Sequence, residues 1–261
     1  MRNIAIITGA SSGIGRAMVK EISRSDHSIE EVWLIARRGD EMKTLAGELA
    51  GPVRVMVLDL RQPESFTELA SALAAGRPVV RWLVNAAGYG KFAAVGDLPL
   101  TEELGMIRLN CEALTAVTSL CLPYMPVGAH IIQIASAAAF APQPRFGIYA
   151  ATKAYVLSFS RALNEELRAR CISVTAVCPG PVDTAFFQTA GSSNKGRLAR
   201  FIPKSSAEAE ARHALKDSRR RRSVSTYGPV ATGFRVAAKL LPAALLLLAG
   251  RGMLRRASKQ G

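Results

Sequence analysis

Tyr149 and Lys153 stand four residues apart, so on a helix they share one face. A tyrosine ionises near 10 in water, too high for a base at neutral pH, and a nearby cation favours the tyrosinate. Moving that value to about 7 takes roughly 4 kcal/mol at ~1.36 kcal/mol per unit. The Lys153 ammonium, with one further positive charge beside it, is expected to supply this. Tyr149 would then give a proton to a carbonyl oxygen or take one from an alcohol. Ser136, 13 residues earlier, is suited to hold the same oxygen by a hydrogen bond. An isolated Tyr-x-x-x-Lys is more often a surface pair, so the chemistry depends on the elements around it.

Those elements form a series. Apolar runs at Asn3–Thr8, Glu31–Ala36, Val53–Leu58, Val79–Asn85, His130–Ala135 and Ile172–Cys178 read as strands. Helical patterns follow at Gly13–Arg24, Asp40–Ala50, Pro63–Ala74, Thr101–Leu122 and Gly147–Arg170. Strands that are apolar throughout, each followed by a helix, predict a parallel sheet covered on both faces, a Rossmann-like doubly wound α/β fold. Between the first strand and helix lies Thr8-Gly9-Ala10-Ser11-Ser12-Gly13-Ile14-Gly15. Glycines there permit a tight turn and close approach to a pyrophosphate, and the helix start offers unpaired N–H groups. The second strand ends Ile35-Ala36-Arg37-Arg38, with no acid before Asp40. An acid at that point would bind a ribose 2′-OH, whereas arginine suits a 2′-phosphate, so the expected cofactor is NADP(H).

The 261 residues suit one domain with a sizeable core. With 49% apolar residues, 21% charged residues and a mean hydropathy of +0.16, a disordered chain is excluded. Cys111, Cys121, Cys171 and Cys178 form no C-x-x-C pair and no ligand-spaced cluster with the three histidines, so no metal site is expected. No secretory signal is read, and the cytoplasm is the expected compartment. Residues 1–194 carry 18 Lys+Arg and 17 Asp+Glu, a net +1, whereas residues 195–261 carry 16 and 3, a net +13. The whole chain, 1–261, is read as one domain, with a mobile substrate loop and helix at about 183–216 and a basic, leucine-rich segment at 229–261. The uncharged run Leu240–Gly250 holds eleven residues, short of the roughly 20 that span a bilayer. Packing on the protein's own body or on another subunit is favoured for it over contact with a membrane surface. Nucleic acid is not expected as a partner.

The spacing Gly-x-x-x-Gly-x-Gly at Gly9–Gly15, Asn85-Ala86-Ala87-Gly88 after the fourth strand, and Tyr149-Ala150-Ala151-Thr152-Lys153 with Ser136 ahead of it resemble the classical short-chain dehydrogenase/reductase family. The matching pieces fall in family order from residue 8 to 184, and the tail resembles one bacterial subgroup of these oxidoreductases. The resemblance implies catalysis by Asn110, Ser136, Tyr149 and Lys153, with Asn110 holding a proton-relay water and Lys153 also binding the nicotinamide ribose. It implies cofactor contacts from Gly9, Ser11, Ser12, Gly13, Ile14, Gly15, Arg37, Arg38, Asn85, Ala86 and Gly88. Asp59 and Leu60 resemble the adenine-contacting pair. Pro179, Gly180, Val182 and Thr184 resemble the nicotinamide-side loop. The expected activity is NADP(H)-dependent interconversion of a carbonyl and a secondary alcohol by a homo-oligomer, a dimer or tetramer. Phe140, Phe146, Phe186 and Phe187 point to an apolar substrate. The rival readings are a non-catalytic nucleotide sensor and a lipid- or nucleic-acid-binding protein acting through the basic tail.

Overall fold

The structure, a computed structural model, describes residues 1–184, 186, 204–242 and 244–248. Seven parallel strands form one sheet in the order β3-β2-β1-β4-β5-β6-β7. They are β1 (Asn3–Thr8), β2 (Glu31–Ala36), β3 (Val53–Val57), β4 (Val79–Asn85), β5 (His130–Ile134), β6 (Ser173–Val177) and β7 (Val224–Ser225). The chain starts at the centre, runs outward through β2 and β3, then returns beside β1 as β4. The order therefore reverses between β1 and β4, and a crevice opens beyond their carboxyl ends.

Both faces of β1 are buried. Ile4 and Ile6 join the apolar cluster on one side, Ala5 and Ile7 that on the other, and all four are 0% exposed. Successive side chains point to opposite faces, which is why the strand is apolar at every position and not at alternate ones. Each buried isoleucine contributes about 1.5–3 kcal/mol.

The helices are α1 (Gly13–Ser25), α2 (Gly39–Gly47), α3 (Pro63–Gly76), α4 (Leu100–Ile107), α5 (Leu114–Cys121), α6 (Gly147–Glu166), α7 (Ala207–Arg219) and α8 (Pro229–Leu240). The expected single helix over Thr101–Leu122 is α4 and α5 joined through a π-helical stretch, Arg108–Ala113, which carries Asn110. Asp40–Ala50 is shortened to Gly39–Gly47, and Val224–Ser225 adds a short last strand beside Ala176 and Val177. Helix α8 was not expected. It begins the segment read only as basic and leucine-rich, with Gly228 at φ +83° before it and Pro229 in its first turn, where proline is favoured. Most of the expected substrate loop, 185 and 187–203, lies outside the described residues. Its described ends are joined by a parallel bridge between Val182 and Ser205.

Candidate active site

The turn after β1 is built around backbone that only glycine allows. Gly9 lies at φ +66°, and a Cβ on it would fall 2.7 Å from the Ala86 and Ala87 backbone. A Cβ on Gly15 would strike the Gly9 carbonyl. Thr8 Oγ1 accepts the amides of Ala86 and Ala87, each at 3.1 Å, which ties the β1 turn to the β4 turn across the switch point. Ser12 precedes α1 without a side-chain cap, and the first turn holds no acid. The helix N–H groups and dipole are thus left for an anion, as a nucleotide pyrophosphate requires. Ile14 packs against the core. Thr184 closes the other side, its methyl 3.3 Å from where a Gly13 Cβ would stand.

The arginines behind this turn divide their tasks. Arg38 donates to Ser11 Oγ from Nε at 3.3 Å and from its terminal nitrogen at 3.0 Å, which sets a guanidinium on the phosphate turn itself. Arg37 is exposed, and its charge reaches Asp59 and Tyr89. The Asp59 carboxyl is gripped by Arg61 at 2.6 and 3.0 Å and is thereby held below the usual carboxylate range. Leu60 is 4% exposed, its side chain in the core. Asn85 is likewise buried, and its amide donates to Thr118 Oγ1 at 3.0 Å. Leu60 and Asn85 therefore support the cleft from behind.

Tyr149 and Lys153 sit one turn apart on α6, 6% and 5% exposed. The Tyr149 ring stacks on Phe146 at 4.4 Å, Phe146 stacks on Phe92 at 3.8 Å, and Phe186 approaches Tyr149 at 5.4 Å. A Cβ on Gly90 would come within 2.6 Å of the Tyr149 ring, so the absence of a side chain at Gly90 makes room for the reactive tyrosine. Gly90 and Phe92 escaped the sequence reading, because nothing local to either says which ring lies against it. Phe140 faces Phe234 of α8 at 6.4 Å, and Phe187 lies outside the described residues.

Ser136 accepts the Ala138 amide at 3.1 Å, at the start of a short 3-10 turn, Ala137–Phe140, and its side chain lies near enough to Tyr149 to favour the ionised phenol. The Ala137 amide in turn donates to the Pro179 carbonyl at 2.9 Å, and Gly180 faces Ala231 of α8. Lys153 Nζ donates to the Ile134 carbonyl at 2.7 Å and lies 5.6 Å from the centre of the Tyr149 ring. Both Asn110 donors are engaged, by the Tyr89 carbonyl at 2.9 Å and Thr152 Oγ1 at 3.0 Å, and its Oδ1 accepts the Tyr89 amide at 3.1 Å. A Cβ on Gly88 would meet that Oδ1 at 2.9 Å. The Asn110 side chain thus clamps the β4 turn.

Burial in the protein works against the ionisation of both side chains. Burial pushes Tyr149 up to about 12; the nearby Ser136 side chain works against the rise, and the Cys178 thiol adds to it. Burial likewise pushes Lys153 down to about 8. Desolvation disfavours both charged forms and is the largest influence on each. The result is a tyrosine firmly protonated at neutral pH, the state of a proton donor. Among the described residues no group of three or more His, Cys, Asp or Glu could hold a metal ion.

A parallel α/β sheet with an uncapped, glycine-lined helix start at its switch point and a Ser–Tyr–Lys cluster across the crevice defines an oxidoreductase of nucleotide-binding type. The short chain dehydrogenase family model matches residues 3–195, and the chain belongs to that family. It is similar to an uncharacterized oxidoreductase of Staphylococcus epidermidis, 31% identical over 183 residues, 69% of this chain and 78% of the relative. It is 34% identical over 192 residues to sulfoacetaldehyde reductase 2 of Chromohalobacter salexigens, covering 71% of this chain and 75% of that one. Among solved structures it resembles a short-chain dehydrogenase from Sphingobium yanoikuyae in complex with NADPH, with a TM-score of 0.77, 26% identity and coverage of 98% and 96%. It also resembles the bulky-bulky ketone specific alcohol dehydrogenase from Comamonas testosteroni, with a TM-score of 0.73, 25% identity and coverage of 98% and 94%.

Proposed function

We propose that the protein interconverts an apolar carbonyl compound and its secondary alcohol with NADP(H). The observation that carries this is Tyr149, buried on α6 one helical turn from the equally buried Lys153, with the Ser136 side chain near enough to favour its ionised form. A bound reduced nicotinamide supplies the hydride. Tyr149 gives its proton to the carbonyl oxygen, and Ser136 donates a hydrogen bond to the same oxygen. The Lys153 ammonium offsets the negative charge that Tyr149 acquires and offers its remaining N–H groups to a ribose. Gly9, Gly13 and Gly15 admit the pyrophosphate, while Arg38 and Ser11, with Arg37 nearby, receive the 2′-phosphate. The NADPH complex of the Sphingobium neighbour supports this cofactor.

Phe92, Phe146, Phe186 and Tyr89 form an apolar group beside Tyr149, which favours an uncharged, bulky carbonyl over a small anionic one. The bulky-ketone specificity of the Comamonas neighbour points the same way. For assembly, Leu100, Leu104 and Ile107 stand exposed at i, i+4 and i+7 on α4, with Tyr155 exposed on α6, and we read this stripe as a subunit contact. A panel of aldehydes, ketones and alcohols followed by nicotinamide absorbance tests the reading. Turnover of bulky apolar ketones with NADPH is expected, and no turnover of any carbonyl or alcohol would overturn it.

The activity should depend on pH in a defined direction. Lys153 has a folded value of about 8 against an ordinary 10.5, so it loses its proton as pH rises through about 8. Tyr149, at about 12, remains a donor throughout that range. The kcat/KM for the nucleotide in carbonyl reduction, which reports free-enzyme ionisations, should be flat below pH 7 and fall with a midpoint of about 8. A profile that stays flat to pH 10 would remove Lys153 as the group that titrates.

A further inference from the structure

Helix α8 presents two unlike faces. Its inner side carries Ala231, 3% exposed, and Phe234, which meets Phe140. Its outer side is also apolar: Val230, Val236 and Leu240 are 47%, 52% and 74% exposed, and beyond the helix end Leu241, Leu245 and Leu248 are exposed as well. This outer side is not covered by the described residues. Arg235 and Lys239, four residues apart and both exposed, flank the apolar side. From Ser218 to Gly261 the sequence holds ten Lys+Arg and no Asp or Glu. A groove of about 550 Å³ beside α8 is lined by His213, Arg222, Arg235, Thr226 and Thr232. The acid in that groove, Asp217, is 2% exposed and already paired with Arg222 at 3.0 Å and His213 at 3.1 Å.

We infer that α8 and the leucine run after it form an interfacial docking surface for an anionic lipid bilayer. Charge complementarity selects this occupant. A second copy laid on the same face would set one cationic segment against another, whereas an anionic bilayer offers an apolar layer beneath negative headgroups. The leucines would enter the headgroup boundary, Arg235 and Lys239 would remain at headgroup level, and the groove would face headgroup phosphates. The surface lies on the membrane and does not cross it, for among the described residues no helix is long and apolar enough to span. Because the inner side of α8 touches Phe140 and Gly180, docking would hold the loops around the Tyr149 site about one helix diameter, ~10 Å, from the lipid.

The test is flotation of the full chain with vesicles of phosphatidylcholine alone or mixed with phosphatidylglycerol, at low and high salt. Binding to the anionic vesicles is expected to exceed that to neutral ones at least tenfold and to fall steeply with salt; this arm needs no variant. Arg235→Gln with Lys239→Gln should weaken the anionic binding by roughly tenfold or more. Val236→Ser with Leu240→Ser and Leu241→Ser should weaken it comparably without lowering the melting temperature, because all three side chains are exposed. Equal absence of the parent from both vesicle types would overturn the inference. So would triple-serine protein that floats like the parent, or a parent dimer that the serines break while neither protein meets lipid. Flotation is read without substrate or nucleotide, so its outcome is independent of the proposed reaction.

Discussion

Tyr149→Phe is expected to lower turnover on any accepted carbonyl or alcohol by about 10²–10⁴-fold, the contribution typical of a positioned proton donor, with little change in nucleotide affinity. The structure makes this a clean substitution. The ring is held by stacking on Phe146 and by the space over Gly90, and phenylalanine keeps both. Only the hydroxyl is lost, and the nearby Ser136 Oγ retains the Ala138 amide. Lys153→Ala should differ in kind. It removes the ammonium that donates to the Ile134 carbonyl and faces the Tyr149 ring, so turnover and nucleotide affinity should fall together. Steady-state kinetics and a fluorescence titration of nucleotide separate the two variants. A Tyr149→Phe enzyme as active as the parent would sink the assignment of Tyr149 as the acid.

Arg37→Ala combined with Arg38→Ala is expected to shift the NADPH/NADH affinity ratio by about two to four orders of magnitude. A hydrogen bond to a charged group contributes about 1.5–3 kcal/mol, and on the proposed reading two such groups would meet only the extra phosphate. Arg38 already rests on Ser11 at 3.0 Å, so it needs little rearrangement to bind there. Its competing contact with Glu41 is 3.6 Å long, between half-exposed side chains, and so is weak. NADH affinity should barely move, because no acid between Ile35 and Asp40 holds a ribose 2′-OH in its place. Titration of both nucleotides against parent and variant decides the matter, and a parent that prefers NADH would count against the NADP(H) reading.

Much of this protein was determined by local sequence. Strands β1, β2 and β4 have the limits that the apolar runs predicted, since a strand buried on both faces needs only an unbroken apolar stretch ended by glycine, arginine or a turn. The glycine spacing after β1 and the Tyr–Lys interval on α6 were legible because each depends on residues one turn apart. What needed the tertiary structure is what depends on distant neighbours. A 3.6-residue period cannot show the π-helical stretch at Asn110, a residue clamped by Tyr89 and Thr152 from other parts of the chain. Helix α8 was missed because apolar residues occupy both its inner and outer sides and leave no single stripe to read. Sequence likewise named Tyr149 and Lys153 but could not show how deeply each is buried. Residue types define which charges can form, whereas burial decides what they cost, and in this crevice removal from water moves Tyr149 up and Lys153 down.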